Sequence, residues 1–260
     1  MFRLTREVRL AVGGSASSDT AVQNGHAGYP SLEGGGQFLT VRITIAGQTD
    51  PVSGYVVNIK QIDQAARRKA LPLLEQSISQ PSQAGATCRR LFESLQSVWA
   101  NLERVQIGLS PYTSWSIQAT EHPMVRLSQK FEFSAAHRLH NPSLDAAANA
   151  KLFGKCNNPH GHGHNYELQV TMRGAAEGQG KMMPLHRLEQ IVMNQVIERF
   201  DHKFLNIETQ EFAELNPTVE NIAQIIYKLL RRPLAENGGE LAAVTVWETP
   251  KTWCEYSEEA

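Results

Sequence analysis

The 260-residue chain sets 25 basic against 26 acidic side chains, for a net charge of −1, and is 41% apolar and 20% charged. That composition fits a globular chain with room for one large domain or two small ones, and it excludes broad electrostatic binding of nucleic acid, which needs a basic excess. No stretch approaches the ~20 apolar residues of a membrane span, and the first residues carry charges where a secretory leader needs an apolar run. Three widely separated cysteines (Cys88, Cys156, Cys254) make no disulfide framework. The expectation is a cytoplasmic protein with neither membrane nor nucleic acid as partner.

Taken in chain order, a strand at about 3–12 is followed by a glycine-rich loop at 13–36, a strand at 38–46 and a helical pattern. A second loop, rich in Gln, Ser and Ala, is expected at 79–87. Residues 38–62 then recur at 165–188. Both segments have an alternating run, a glycine (Gly47, Gly174), a polar turn, a second glycine (Gly54, Gly180), a short apolar run and a helical pattern. The offset is 127 at the first glycine and 126 at the second. IQATEHP at 117–123 lies over VTVWETP at 244–250, again at 127, which sets Glu121 over Glu248. A constant offset predicts two tandem copies of one unit, 1–124 and 125–260.

The second copy opens with a strand at 125–137 and a His-rich loop. A strand at 164–173 follows, with Leu168, Val170 and Met172 on one face. Leu185, Leu188, Val192 and Val196 form a helical stripe. Asn216-Pro217-Thr218 announces a second helix, with Thr218 as N-cap, Glu220 in the first turn, and Ile222, Ile225, Ile226 and Leu229 as its apolar stripe. Strands at 244–248 and 252–256 close the unit. Strand-strand-helix-helix-strand-strand is an α+β pattern, a four-stranded antiparallel sheet with two helices on one face.

Five of the nine histidines fall between His137 and His164. Residues i and i+2 of a strand share a face, so His162 and His164 aim at one point. His137 ends the preceding strand and supplies a third ligand if the two strands pair antiparallel. Three neutral imidazoles without a fourth protein ligand describe a catalytic Zn²⁺ with an open position. Cys156, beside Lys155, suits a base or nucleophile, a fourth zinc ligand or an inert buried thiol, whereas Cys88 and Cys254 read as packing residues. Asp201-His202 is either a proton relay or a solvated helix end. Glu248, an acid in an apolar strand, is either a surface group or a buried ligand anchor.

The run FSAAHRLHNPSLDAAANAKLFGKCNNPHGHGHNYELQVTMRG, with Asp201-His202-Lys203, Thr218-Val219-Glu220-Asn221 and Glu248-Thr249 after it, resembles the 6-pyruvoyl-tetrahydropterin synthase family over residues 125–260. The resemblance implies the tunnelling fold, or T-fold, and so two tandem T-fold units. It implies 7,8-dihydroneopterin triphosphate as substrate and Zn²⁺ on His137, His162 and His164, acting by Lewis-acid polarisation. It makes Cys156 the general base and Asp201–His202 its relay. Glu248 becomes the anchor of the pterin N–H edge, with Thr218 and Glu220 lining the pocket. It implies a homo-oligomer that closes a barrel, with pockets between subunits. A sister enzyme makes 6-carboxy-tetrahydropterin from the same substrate; the five residues between Cys156 and His162 resemble the pyruvoyl type. A non-catalytic pterin-binding T-fold protein and an unrelated zinc hydrolase with an acidic base are the competing readings. In the first copy Gly34-Gly35-Gly36-Gln37 falls on Gly161-His162-Gly163-His164, Glu75-Gln76 on Asp201-His202, and Thr87-Cys88-Arg89-Arg90 lacks the Glu-Asn pair. Only Glu121 survives, so 1–124 is expected to be a degenerate unit without zinc, and Glu121 a surface strand acid.

Overall fold

The computed structural model describes residues 1–13, 35–78, 83–177 and 182–258. Most of the loop expected at 13–36, part of that at 79–87, Gly34 and Gly180 lie outside the described residues. The chain forms two compact units, one of residues 1–128 with 173–182, the other of 129–172 with 183–260.

The first unit contains β1 (Phe2–Val12), β2 (Gln37–Gly47), α1 (Ile59–Ile78), α2 (Ala84–Gln96), β3 (Leu102–Gly108) and β4 (Thr113–Gln118). Its strands are antiparallel in the order β1-β2-β3-β4, with Val8 opposite Val41, Val41 opposite Ile107 and Val105 opposite Ile117. Period-two alternation buries Val8, Leu10 and Val12 of β1 and Leu39, Val41, Ile43 and Ile45 of β2. Ile62, Ala66, Ala70 and Leu74 of α1 and Cys88, Leu91, Phe92 and Leu95 of α2 complete this core. The loop expected at 79–87 is cut short, because α2 starts at Ala84. A Cβ on Gly85 would come within 2.9 Å of the Trp115 ring, so the small residues there serve close helix packing rather than a turn. Cys88 is a packing residue as expected, and burial pushes its thiol up to about 12.

β5 (Met124–His137) leads into the second unit, which continues with α3 (Ala146–Phe153), β6 (His162–Ala175), α4 (Leu185–Val192), β7 (Lys203–Phe204), α5 (Val219–Glu236), β8 (Glu240–Thr249) and β9 (Thr252–Tyr256). The strand order is β5-β6-β8-β9, and the short β7 lies parallel to β5, Ala135 opposite Lys203. Leu168, Val170 and Met172 share a buried face with Tyr166, as the alternation predicts. After α4 the helix widens into a π turn, Met193–Ile197, before a last turn, Glu198–Phe200. Leu188, Val192, Val196 and Phe200, four apart, are all buried. An α-helix would rotate such a series steadily off the core, and the wider turn restores it.

Thr218 caps α5, accepting from Asn221 N at 3.3 Å. The apolar face of α5 differs from the expected stripe: Ala223, Tyr227 and Leu230 are buried with Ile222 and Ile226, while Ile225 and Leu229 are only half-buried. Tyr227 sets this rotation. Its ring meets Tyr256 edge-on at 5.2 Å and its hydroxyl donates to the Leu241 carbonyl at 3.3 Å. Thr218→Ala is expected to lower the unfolding free energy by about 1 kcal/mol, the usual worth of such a cap, as measured by urea denaturation. Among the described residues no helix is long and apolar enough to cross a membrane.

Candidate metal and catalytic site

His137 is the last residue of β5 and His162 the first of the neighbouring β6. Alternation along β6 turns His162 and His164 to the same side as buried Tyr166. The ring centroids are 4.5 Å apart for His137–His162, 5.1 Å for His137–His164 and 4.9 Å for His162–His164. One nitrogen from each lies within 4.8 Å of the others. His137 Nδ1 donates to the Pro217 carbonyl at 2.7 Å, which leaves Nε2 as a bare lone pair, 3.0 Å from His162 Nε2. His162 Nδ1 and His164 Nε2 are buried without a hydrogen-bond partner. An unpartnered buried nitrogen is costly unless something satisfies it, and a cation at the cluster would satisfy that of His164. Burial, more than any neighbouring charge, lowers the pKa of His137 and His164 below the usual imidazole range. They are thereby kept neutral, the form that ligates a metal. Tyr166 forms the floor, stacked on Phe133 at 5.0 Å and edge-on to His137 and His164. Burial holds its phenol well above the usual range.

Glu248 sits at a register shift between Trp247 and Thr249 in the β8–β9 ladder, a bulge of the kind that re-aims a side chain. Its Oε1 lies 3.3 Å from His137 Nε2 and 3.6 Å from His164 Nε2. Glu121, its counterpart at the 127 offset, has a different environment. It lies on a 3-10 turn, Ala119–Glu121, rather than on the expected strand. Arg126 donates to it at 2.7 and 2.6 Å and Arg173 at 3.3 Å. These bonds, Arg126's foremost, hold its carboxyl below the usual range. Glu121 is therefore an internally paired acid.

Cys156, a half-buried free thiol, lies in a 3-10 turn, Gly154–Asn157. Its carbonyl accepts from Leu139 N at 2.8 Å, which fixes the turn beside the chain leaving His137. Asn206 brackets Arg138, accepting from its N at 2.8 Å and donating to its O at 2.9 Å, and Asn216 Oδ1 accepts from His140 N at 2.9 Å. Buried Asn149 donates to Asn141 O, Leu144 O and Asp145 O and accepts from Asn141 N, tying the loop to α3. Gly161 has φ +72°, and a Cβ there would stand 2.8 Å from the Phe204 ring and 3.1 Å from His137 O, so the position ahead of His162 tolerates only glycine. Sequence reasoning missed Asn149, Asn206, Asn216, Tyr166 and the Pro217 carbonyl. Only Tyr166, in phase with the His162/His164 face, carried a signal that could have found it.

Asp201 and His202 do pair, with Nδ1 and Oδ2 2.7 Å apart. Asp201 Oδ1 accepts from Ser134 N at 2.8 Å, the leading cause of its lowered pKa, and His202 N donates to Ser134 O at 2.6 Å. The pair is thus built onto β5. The His202 side chain is 83% exposed, with φ +57°, and borders an open cleft with Ser134, Gly163, Asn165 and Lys203. Ser134 and Asn165 share a sheet face through a 2.8 Å hydrogen bond, and by alternation that face is opposite His137 and His164. The same cleft is also lined by His164, so His202 and one of the three histidines border one opening. Thr218 is engaged in capping, but its neighbour Pro217 holds His137, and Glu220 is exposed in the first turn of α5.

Against known proteins, the family model described as 6-pyruvoyl tetrahydropterin synthase matches residues 126–259. The 6-pyruvoyl tetrahydrobiopterin synthase of Drosophila melanogaster is 38% identical over 138 residues, 53% of this chain and 82% of the relative. The 6-carboxy-5,6,7,8-tetrahydropterin synthase of Haemophilus influenzae is 28% identical over 156 residues, 52% of this chain and 100% of the relative. Among solved structures, the 6-pyruvoyl tetrahydropterin synthase of Caenorhabditis elegans matches with 36% identity and a TM-score of 0.49, over 53% of this chain and 97% of that one.

Proposed function

The chain belongs to the 6-pyruvoyl tetrahydropterin synthase family, and on that premise we propose that residues 125–260 form a zinc-dependent lyase that converts 7,8-dihydroneopterin triphosphate to 6-pyruvoyl-tetrahydropterin. The observation that carries this reading is the convergence of three imidazole nitrogens, two side chains of which have a buried unpartnered nitrogen, inside the segment the family model covers. Sequential His137, His162 and His164 are the zinc ligands. A nitrogen-only donor set suits Zn²⁺. When bound, the ion supplies Lewis-acid polarisation of the substrate's side-chain hydroxyls.

The protein's own groups do the rest. Cys156 Sγ, held beside the end of β5, takes a proton from the substrate side chain, and Asp201 orients His202 to carry it on. Because the His202 side chain is 83% exposed, the relay is open to a second copy, which fits a homo-oligomer with pockets between subunits. Glu248 accepts from the N–H edge of the pterin, with Thr218 and Glu220 as pocket wall. Triphosphate leaves with its bonding electrons. The hydrogens lost by the side-chain carbons are gained by the ring, so no outside oxidant is needed. Residues 1–124 are the second, degenerate T-fold unit of a tandem pair. The pairing of Glu121 with two arginines supports this.

The alternative product, 6-carboxy-tetrahydropterin, is less favoured, since the relatives so named are more distant at 28% and 30% identity. A non-catalytic pterin binder would have no use for Cys156 or for a built Asp–His pair. The test is release of inorganic triphosphate from the substrate by the full chain, with zinc and after chelation. Release only with zinc supports the lyase; no release at full zinc occupancy would overturn it.

A further inference from the structure

The hydrogen bond that orients His137 ends on a carbonyl that needs support from elsewhere. His137 Nδ1 donates to Pro217 O at 2.7 Å, which decides that Nε2 keeps its lone pair for the cluster. Pro217 has no N–H with which to tie itself down. Its carbonyl shares a planar peptide with Thr218 N, and in a trans peptide the C=O and N–H point opposite ways. Thr218 N donates to Asn216 O at 2.8 Å. The position of Asn216 O therefore aims the Pro217 carbonyl.

Asn221 holds that oxygen. Its Nδ2 donates to Asn216 O at 2.8 Å, and its backbone N donates to Thr218 Oγ1 at 3.3 Å. It lies in the first turn of α5, a helix anchored by buried Ile222, Ile226 and Leu230. From the other side, Asn216 Oδ1 accepts from His140 N at 2.9 Å, three residues beyond His137. Residues 216 and 217 are thus clamped between the start of α5 and the chain leaving β5. The Thr218 hydroxyl serves the helix end, whereas the Asn221 amide serves the turn ahead of it.

We infer that Asn221 is a positioning residue of the metal centre: it acts through Asn216 and Pro217 to hold the His137 ring in the orientation and tautomer that offer Nε2 to the ion. The inference rests on the reading of the three histidines as a metal site. Groups that orient a ligating imidazole are worth about 10–100-fold in metal affinity. Asn221 stands one hydrogen bond further out than the carbonyl itself, so the lower end of that range applies.

The experiment uses the full chain without substrate. Zinc affinity is measured by chelator competition, and stability by urea unfolding of chelated samples, for wild type, Asn221→Asp and Tyr227→Phe. Asn221→Asp keeps the side-chain shape and puts an acid where the helix dipole favours one, but it offers Asn216 O no N–H. It is expected to bind Zn²⁺ about 10-fold more weakly. Tyr227→Phe loses a hydrogen bond to Leu241 O from the same helix and is expected to keep wild-type zinc affinity while losing stability. Asn221→Ala carries the comparison if Asn221→Asp fails to fold. Wild-type zinc affinity in the folded Asn221 variant would overturn the inference, and so would equal weakening in Tyr227→Phe, since the loss would then follow helix stability. A wild-type protein that binds no zinc would overturn the metal site itself, and the inference with it.

Discussion

His164→Ala is expected to abolish stable metal binding and to cut triphosphate release by about 10³-fold or more, since a Lewis-acid contribution of several kcal/mol is lost with the ion. Stability of the metal-free protein should move little or rise. His164 Nε2 is buried and has no hydrogen-bond partner, so its removal deletes an unsatisfied polar atom along with a ligand. His137→Ala is the instructive contrast. It removes a ligand equally well, but it strips the donor from the Pro217 carbonyl and empties a fully buried site. It should therefore lower the stability of the metal-free chain by about 1–3 kcal/mol as well. Metal content by elemental analysis and urea unfolding of chelated samples separate the two effects. Equal stability losses in both variants would contradict the assignment of His164 as a residue that serves only the metal.

Cys156→Ala is expected to reduce turnover by about 10²–10⁴-fold, the range for a general base, while metal content and binding of the triphosphate-free pterin remain at wild-type levels. The geometry explains the separation. Cys156 is carried on a turn fixed by its own backbone carbonyl on Leu139 N, beside a loop held by the Asn206, Asn216 and Asn149 hydrogen bonds, so removal of the thiol leaves these bonds intact. Full activity in Cys156→Ala would favour the competing reading, a zinc hydrolase with an acidic base.

The metal-competent triad is the part of the site most open to sequence reasoning, because strand periodicity alone sets His162 and His164 on one face. Thr218 was equally legible, since an N-cap is a local device. The rest depended on tertiary packing. The face that α5 buries is chosen by Tyr227 reaching β9 and the Leu241 carbonyl, not by counting apolar residues. The early start of α2 follows from the fit of Gly85 against Trp115, where composition suggested a loop. Asp201–His202 was visible as a pair, but its attachment to Ser134 and its outward face come from β7 lying along β5. The approach of Glu248 to the histidines needed a bulge that no alternation pattern reveals. The amides that brace the Cys156 loop have no period at all.

The most direct test of the central claim is mass spectrometry of the products formed when the zinc-loaded full chain is incubated with 7,8-dihydroneopterin triphosphate. Free triphosphate and 6-pyruvoyl-tetrahydropterin are the expected products, both lost on chelation; intact substrate recovered from a protein with its metal fully bound would contradict the lyase reading.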